Sequence, residues 1–320
     1  MISFFKARGL QCFIAVIASS FSYQAIANRI LDESTVIIKG ELRRYYRLHD
    51  LEMSKTPGDS PAIVLLNGSG CDDFGSNFRG FFKKYSAPLD VYFLDKPHIK
   101  KNADGSQCSK AYEKADQLNR RVSDSLEFMA VEPMLRKRAD RSIAILGFSE
   151  GGVIAPIVAS KSKKVGWLVT TGGGGGLTQG HGFLVFADRG VRPYAKPFSR
   201  DIFLKEYALI QADPNSLKKK FFGHSYYYWS SHLFYDPIAT YAKLDIPIVA
   251  AMGEKDESVP IESGQALQKY FSKRGEGNFR FITFPNADHG FQAGQKNYMT
   301  TFIASLAKWF KGDPEAFNNF

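Results

Sequence analysis

The chain has 320 residues, 44% of them hydrophobic and 14% aromatic, with a formal net charge of +10. A chain of that length and apolar content can bury a substantial core, which excludes disorder as its main character. The positive charge is scattered singly and in short runs such as Lys218-Lys219-Lys220, without a nucleic-acid-binding motif. No nucleic-acid partner is therefore expected, while weak association with anionic surfaces stays open.

Residues 1–27 read as a signal peptide. Lys6 and Arg8 supply a short positive region, Leu10 to Phe21 is mostly apolar, and the small residues Ala25 and Ala27 frame a cleavage site, so the mature chain is expected to begin at Asn28. A membrane anchor is the competing reading, but the apolar run is well short of the ~20 residues a spanning helix needs. Cys12 follows Gln11 and has the apolar stretch after it, which argues against lipid attachment. Export to the periplasm or the medium leaves Cys71 and Cys108, either as one disulfide or as two partly buried thiols.

Past the leader, Thr35 to Lys39 and Arg44 to Leu48 read as two strands of an antiparallel sheet edge. Ala62 to Leu66 and Val91 to Leu94 are compact apolar strands around a segment that can hold a helix, Asn77 to Tyr85, a spacing that suggests parallel pairing. Leu118, Val122, Leu126 and Met129 mark an amphipathic helix, and Ile143 to Leu146 a fully buried strand. Val153 to Ser160 continues as a buried helix, with Pro156 taken as near enough to its start to be tolerated. Val165 to Thr170, Ile246 to Met252 and Phe279 to Phe284 add three strands, and Tyr298, Phe302, Leu306 and Trp309 a closing helix. The expected class is α/β: a mostly parallel sheet with helices on both faces, residues 28–320 forming one catalytic domain. An aromatic-rich, mainly helical insert over 177–244 is expected to cap it, with Tyr227 and Trp229 facing the cleft as substrate-binding residues; the competing reading is that these rings only dock the cap.

Ser149 falls in Gly147-Phe148-Ser149-Glu150-Gly151, at the end of a buried strand and the start of a buried helix. Glycines two residues either side give a strained strand-to-helix elbow room to fold, and the helix start offers N–H groups to developing negative charge. A serine hydroxyl needs a base, and the base an acidic partner. His289 lies beyond the last strand and Asp256 just past the one before it. His49, His98, His181, His224 and His232 precede the elbow or sit in the insert, and read as surface or hydrogen-bonded histidines. Glu254, Glu257 and Asp288 compete with Asp256 for the acid. The backbone N–H of Ser69, or failing it Gly70, is expected to pair with that of Glu150 as an oxyanion hole.

With these residues in place the chain resembles an α/β-hydrolase. "GFSEGGVIAP", "GEKDESVP" and "NADHGF" are similar to exported esterases and to prolyl-oligopeptidase-like or dienelactone-hydrolase-like members, over nearly all of residues 60–310. The family often carries His-Gly at the oxyanion strand, where this chain has Asn67-Gly68. The resemblance implies an exported serine hydrolase, carboxylesterase-like, acting on a small-molecule ester or short peptide. Peptidase, amidase and thioesterase activities share the machinery, and a non-catalytic binding protein would be marked by a missing triad member. Gly172 to Gly176 lacks a following Gly-Lys-Ser/Thr and is expected to keep the floor beside Ser149 open or to hinge the cap. No Cys/His cluster has metal spacing, so neither metal nor cofactor is expected.

Overall fold

The computed structural model describes residues 29–51, 60–190, 199–275 and 277–320. The leader expected over 1–27 lies outside the described residues. Strands β1 (Arg29–Ile38) and β2 (Glu41–Asp50) form the antiparallel edge hairpin, longer than their apolar cores suggested. β3 (Ala62–Leu66), β4 (Asp90–Leu94), β5 (Ile143–Phe148) and β6 (Val165–Thr171) follow. β7 (Lys220–Phe221) and β8 (His224–Ser225) make a small ribbon in the insert. β9 (Ile248–Gly253) and β10 (Phe279–Phe284) complete an eight-stranded sheet of order β1-β2-β4-β3-β5-β6-β9-β10. Only the β1–β2 and β2–β4 pairings in it are antiparallel.

Successive residues of a strand face opposite ways, and here both faces are covered, so the interior strands are apolar at most positions, with Asp90, Thr170 and Thr171 as buried exceptions. On one face Ile63, Leu65, Val91, Phe93, Ala144 and Leu146 pack against Phe302 and Leu306. Their neighbours Val64, Tyr92, Ile143, Ile145 and Ile248 meet helix residues on the other face, among them Val122, Phe128, Ile154 and Phe271. The helices are α1 (Lys110–Ala115), α2 (Leu118–Val131), α3 (Glu150–Lys161), α4 (Gln179–Asp188), α5 (Arg200–Ala212), α6 (Tyr226–His232), α7 (Ile238–Tyr241), α8 (Ile261–Arg274) and α9 (Tyr298–Trp309).

Two local expectations need correction. The segment read as a helix over 77–85 is a 3-10 turn, Phe78–Phe82, with Gly80, a poor helix former, at its centre. Its freed carbonyls are taken by Arg29, whose guanidinium donates to Phe82 O at 2.9 Å and Tyr85 O at 2.6 Å. Pro156 is the seventh residue of α3, past the first turn. The Gly152 carbonyl that it cannot bond lies against Gly174, where a Cβ would come within 2.0 Å. Helices α1 and α8 are additional to the elements read from the sequence.

Three of the insert's helices, α4 to α6, surround a separate aromatic core of Phe183, Phe203, Phe221, Tyr228 and Trp229, while Tyr241 of α7 joins the core on the α3 face of the sheet. Cys71 and Cys108 are bonded, with Cα atoms 5.6 Å apart across a sequence separation of 37. In the chain-entropy model a loop of that span contributes about 4 kcal/mol. The disulfide ties the loop after β3 to the one before α1. No helix among the described residues is long and apolar enough to cross a membrane.

Candidate active site

The loops after β3, β5, β9 and β10 leave the same carboxyl edge of the sheet, where open α/β sheets gather ligand-binding groups. Register keeps them level: Leu66 pairs with Gly147, and Phe284 with Gly253. Ser149 caps α3 with φ 51° and ψ −117°, a left-handed backbone that a non-glycine residue rarely adopts. Ser149 N–H donates to Thr171 O at 2.8 Å, and Gly152 N–H to Ser149 O at 2.9 Å. The flanking glycines are required by close approach. A Cβ on Gly147 would lie 2.3 Å from Gly151 O, and one on Gly151 2.1 Å from Leu66 O.

His289 Nε2 stands 3.0 Å from Ser149 Oγ, and its Nδ1 2.8 Å from Asp256 Oδ2. The other carboxylate oxygen of Asp256 accepts from Ser258 N–H and Val259 N–H, each at 2.8 Å, so the loop that carries the acid also fixes its orientation. With a carboxylate opposite Nδ1, that nitrogen carries the proton. Nε2 is then the acceptor facing the serine hydroxyl. Burial disfavours the charged imidazole, but hydrogen bonding to Asp256 and its charge, with Glu257 and Asp288 farther off, outweigh that and hold His289 above the ordinary histidine value of 6.5. The competing acids are used elsewhere: Glu254 accepts from Asn286 N–H, and Asp288 from Gln292 N–H. Of the competing histidines, His49 contacts Asp32, His224 lies near Asp116, and His232 contacts Glu150.

Ser149 opens onto a cavity of about 270 Å³ beneath the insert. Ser69 and Glu150 line it, whereas Gly70 does not; the Gly70 carbonyl is held instead by Lys96 and Tyr112. Trp229 lines the cavity, together with Phe183, Phe222 and Tyr228. Tyr227 is not among the lining residues. At about 100° per residue it stands roughly 200° round α6 from Trp229, and its backbone carbonyl accepts from Gln117. Gly173, Gly174 and Gly175 form the floor, and a Cβ on Gly173 would lie 2.1 Å from Ser149 O.

The buried cluster that Glu150, Arg121 and His232 form beside this site escaped the sequence reading. Glu150, fully buried, accepts from Arg121 Nη1 at 2.5 Å and from His232 Nε2 at 2.8 Å. Burial would raise its carboxyl, but Arg121, His232 and Lys96 outweigh it and hold the group far below the usual carboxylate range. Arg121 also donates to Asn67 O and Oδ1, both at 3.0 Å. One ionic cluster thus joins the elbow, the loop after β3 and the cap. The signal that could have exposed it is Arg121, a charge on the apolar face of a helix between Leu118 and Val122. Removing one member of a buried ion pair typically costs about 3–5 kcal/mol. Glu150→Gln, which leaves Arg121 and His232 without their anion, is therefore expected to lower stability by that order in chemical denaturation. A loss below about 1 kcal/mol would contradict the role of the cluster.

A mostly parallel sheet with these loops at its carboxyl edge and a helical insert above them is the α/β-hydrolase fold, which the chain shares with solved structures. Residues 220–311, a stretch that includes Asp256 and His289, match the dienelactone hydrolase family. Among solved structures, the chain is similar to Est1E from Butyrivibrio proteoclasticus, at 13% identity over 88% of this chain and 98% of that one, TM-score 0.58. It is similar to the esterase domain of a Rhodothermus marinus protein, at 12% identity over 88% and 97%, TM-score 0.54. A puromycin-hydrolyzing peptidase of Mycobacterium tuberculosis aligns at 14% identity over 90% of this chain but 40% of its own, TM-score 0.60. No curated protein matches the chain.

Proposed function

We propose that the protein is an exported serine hydrolase that cleaves carboxylic esters through an acyl-enzyme on Ser149. The observation that carries this reading is the unbroken chain from Ser149 Oγ to His289 at 3.0 Å and from His289 to Asp256 at 2.8 Å. In the proposed reaction Ser149 Oγ attacks the ester carbonyl as His289 Nε2 takes its proton. The Ser69 and Glu150 N–H groups receive the oxyanion, each such donor being typically worth about 10²- to 10³-fold in rate. His289 passes its proton to the leaving alkoxide, then activates a water that releases the acid and restores Ser149. Asp256 stabilises the imidazolium in both halves.

The cavity supports a neutral, compact acyl group. Glu150 is the only Asp, Glu, Lys or Arg among its described lining residues, and that carboxylate is already bonded to Arg121 and His232. Phe183, Phe222 and Trp229 offer apolar contact to such a group, Trp229 in a substrate-facing role. The Cys71–Cys108 disulfide supports export, since such bonds persist in oxidising compartments.

Nitrophenyl esters of graded acyl length, run beside aminoacyl anilides, test the substrate class; faster turnover of the anilides would overturn the ester reading. The pH dependence tests the roles. His289 must be neutral to accept the proton, so activity rises with pH through its pKa, and the acid limb of kcat/KM is expected above the ordinary 6.5. Asp256→Asn removes the group that raises it. The limb is then expected to move to lower pH while turnover falls by about 10⁴-fold. An unmoved limb would contradict the Asp256–His289 pairing.

A further inference from the structure

Lys96 is fully buried just past the carboxyl end of β4, and its hydrogen bonds all go to oxygens of uncharged groups. Its Nζ donates to Gly68 O at 2.9 Å, to Gly70 O, and to Tyr112 Oη at 3.2 Å. Tyr112 in turn donates to Gly70 O at 2.6 Å, so its hydroxyl can only accept from the lysine. Three acceptors therefore use all three N–H bonds of an ammonium. A neutral amine has two N–H bonds and a lone pair that draws the Tyr112 hydroxyl to itself, so one of the three bonds that lysine and tyrosine make to the Gly68 and Gly70 carbonyls is lost.

These carbonyls belong to the loop that faces Ser149. Gly68 is so close that a Cβ there would lie 3.2 Å from Ser149 Cβ. Described peptide bonds in the chain are all trans, so a carbonyl and the N–H of the next residue point in opposite directions. Gly68 O, drawn to Lys96, turns Ser69 N–H the other way, and Asn67 O, drawn to Arg121, does the same for Gly68 N–H. Ser69 lines the cavity beside Ser149 and Glu150.

We infer that Lys96 is a positioning residue for the proposed hydrolysis: its ammonium sets the peptide planes of the loop over 67–70 so that the Ser69 N–H is aimed at the oxyanion. The inference rests on Ser149 being the nucleophile. Burial, reinforced by Arg121 of α2 and only partly opposed by Glu150 of α3 and by Asp116 and Asp72 from the adjoining loops, pushes the lysine down to about 8. Its charge is therefore complete below that pH and lost above it, and with the charge goes one tether of the loop.

The test is kcat and KM on one ester from about pH 6 to about pH 10 for the wild type, Lys96→Arg, Lys96→Met and Tyr112→Phe, with fluorophosphonate labelling near neutral pH alongside. The wild type is expected to lose kcat through an alkaline limb near pH 8, with KM little changed. In Lys96→Arg that limb disappears from the range, because guanidinium keeps its proton. Lys96→Met loses about 10²-fold in kcat and has no alkaline limb. Tyr112→Phe, which deletes one acceptor of the ammonium, shifts the limb to lower pH. An alkaline limb that stays in place in Lys96→Arg and Tyr112→Phe overturns the inference. A wild type without any alkaline fall does the same, even should no variant fold. Labelling of a residue other than Ser149 would instead overturn the reading of the nucleophile, whatever the pH profile.

Discussion

Ser149→Ala is expected to lower ester turnover by about 10⁴-fold or more, the loss that follows when a catalytic unit is reduced to binding and polarisation alone. The substitution removes one hydroxyl from a helix cap whose main-chain bonds, Ser149 N–H to Thr171 O and Gly152 N–H to Ser149 O, do not involve the side chain. The fold should therefore persist, and with it the cavity, so KM is expected to change far less than kcat. Steady-state kinetics together with a melting curve separate the two effects. A variant that keeps more than about a tenth of wild-type turnover would remove Ser149 from the mechanism.

His289→Ala is expected to cost a comparable factor, because without Nε2 at 3.0 Å nothing takes the serine proton. The double variant Ser149→Ala/His289→Ala is then expected to fall no further than either single one, since residues that act as one unit are non-additive. Independent, multiplying losses would mean that the hydrogen bond between them is structural and does not carry the reaction. His289 is held mainly by backbone turns around Asp288, whose N–H donates to Gln292 O at 3.0 Å, so the loop is not expected to collapse when the ring is removed.

The sheet interior was legible where burial on both faces leaves only apolar residues: Ala62–Leu66 falls at the position read from the sequence, and Ile143–Phe148 extends that reading by two residues; the half-buried edge strand Phe279–Phe284 also falls where it was read. The grouping of Ser149, Asp256 and His289 was legible because each lies on a loop that leaves the carboxyl end of a strand. Helix α8 was not, since Ser263 and Gly264 interrupt its apolar face. They do so for packing reasons: Ser263 O accepts from Gly176 N–H at 2.7 Å, and a Cβ on Gly264 would lie 2.2 Å from the Phe281 ring. Residues that meet only through the fold were hidden altogether. Arg121 and Glu150 are 29 positions apart, and His232 lies 82 beyond Glu150. The cap's aromatic run showed that rings must point several ways, but not which. The ribbon of β7 and β8 and the cap core around Phe183 turn Trp229 to the cavity and leave Tyr227 off it.

The central claim is that Ser149 is the nucleophile, activated through His289. Reaction of the purified protein with a fluorophosphonate, followed by peptide mass mapping, tests it most directly, because the reagent forms a stable adduct only with a serine whose proton is taken as it attacks. The account predicts a single adduct on the peptide carrying Ser149, absent from Ser149→Ala and strongly slowed in His289→Ala. An unmodified protein, or an adduct that persists in Ser149→Ala, would contradict it.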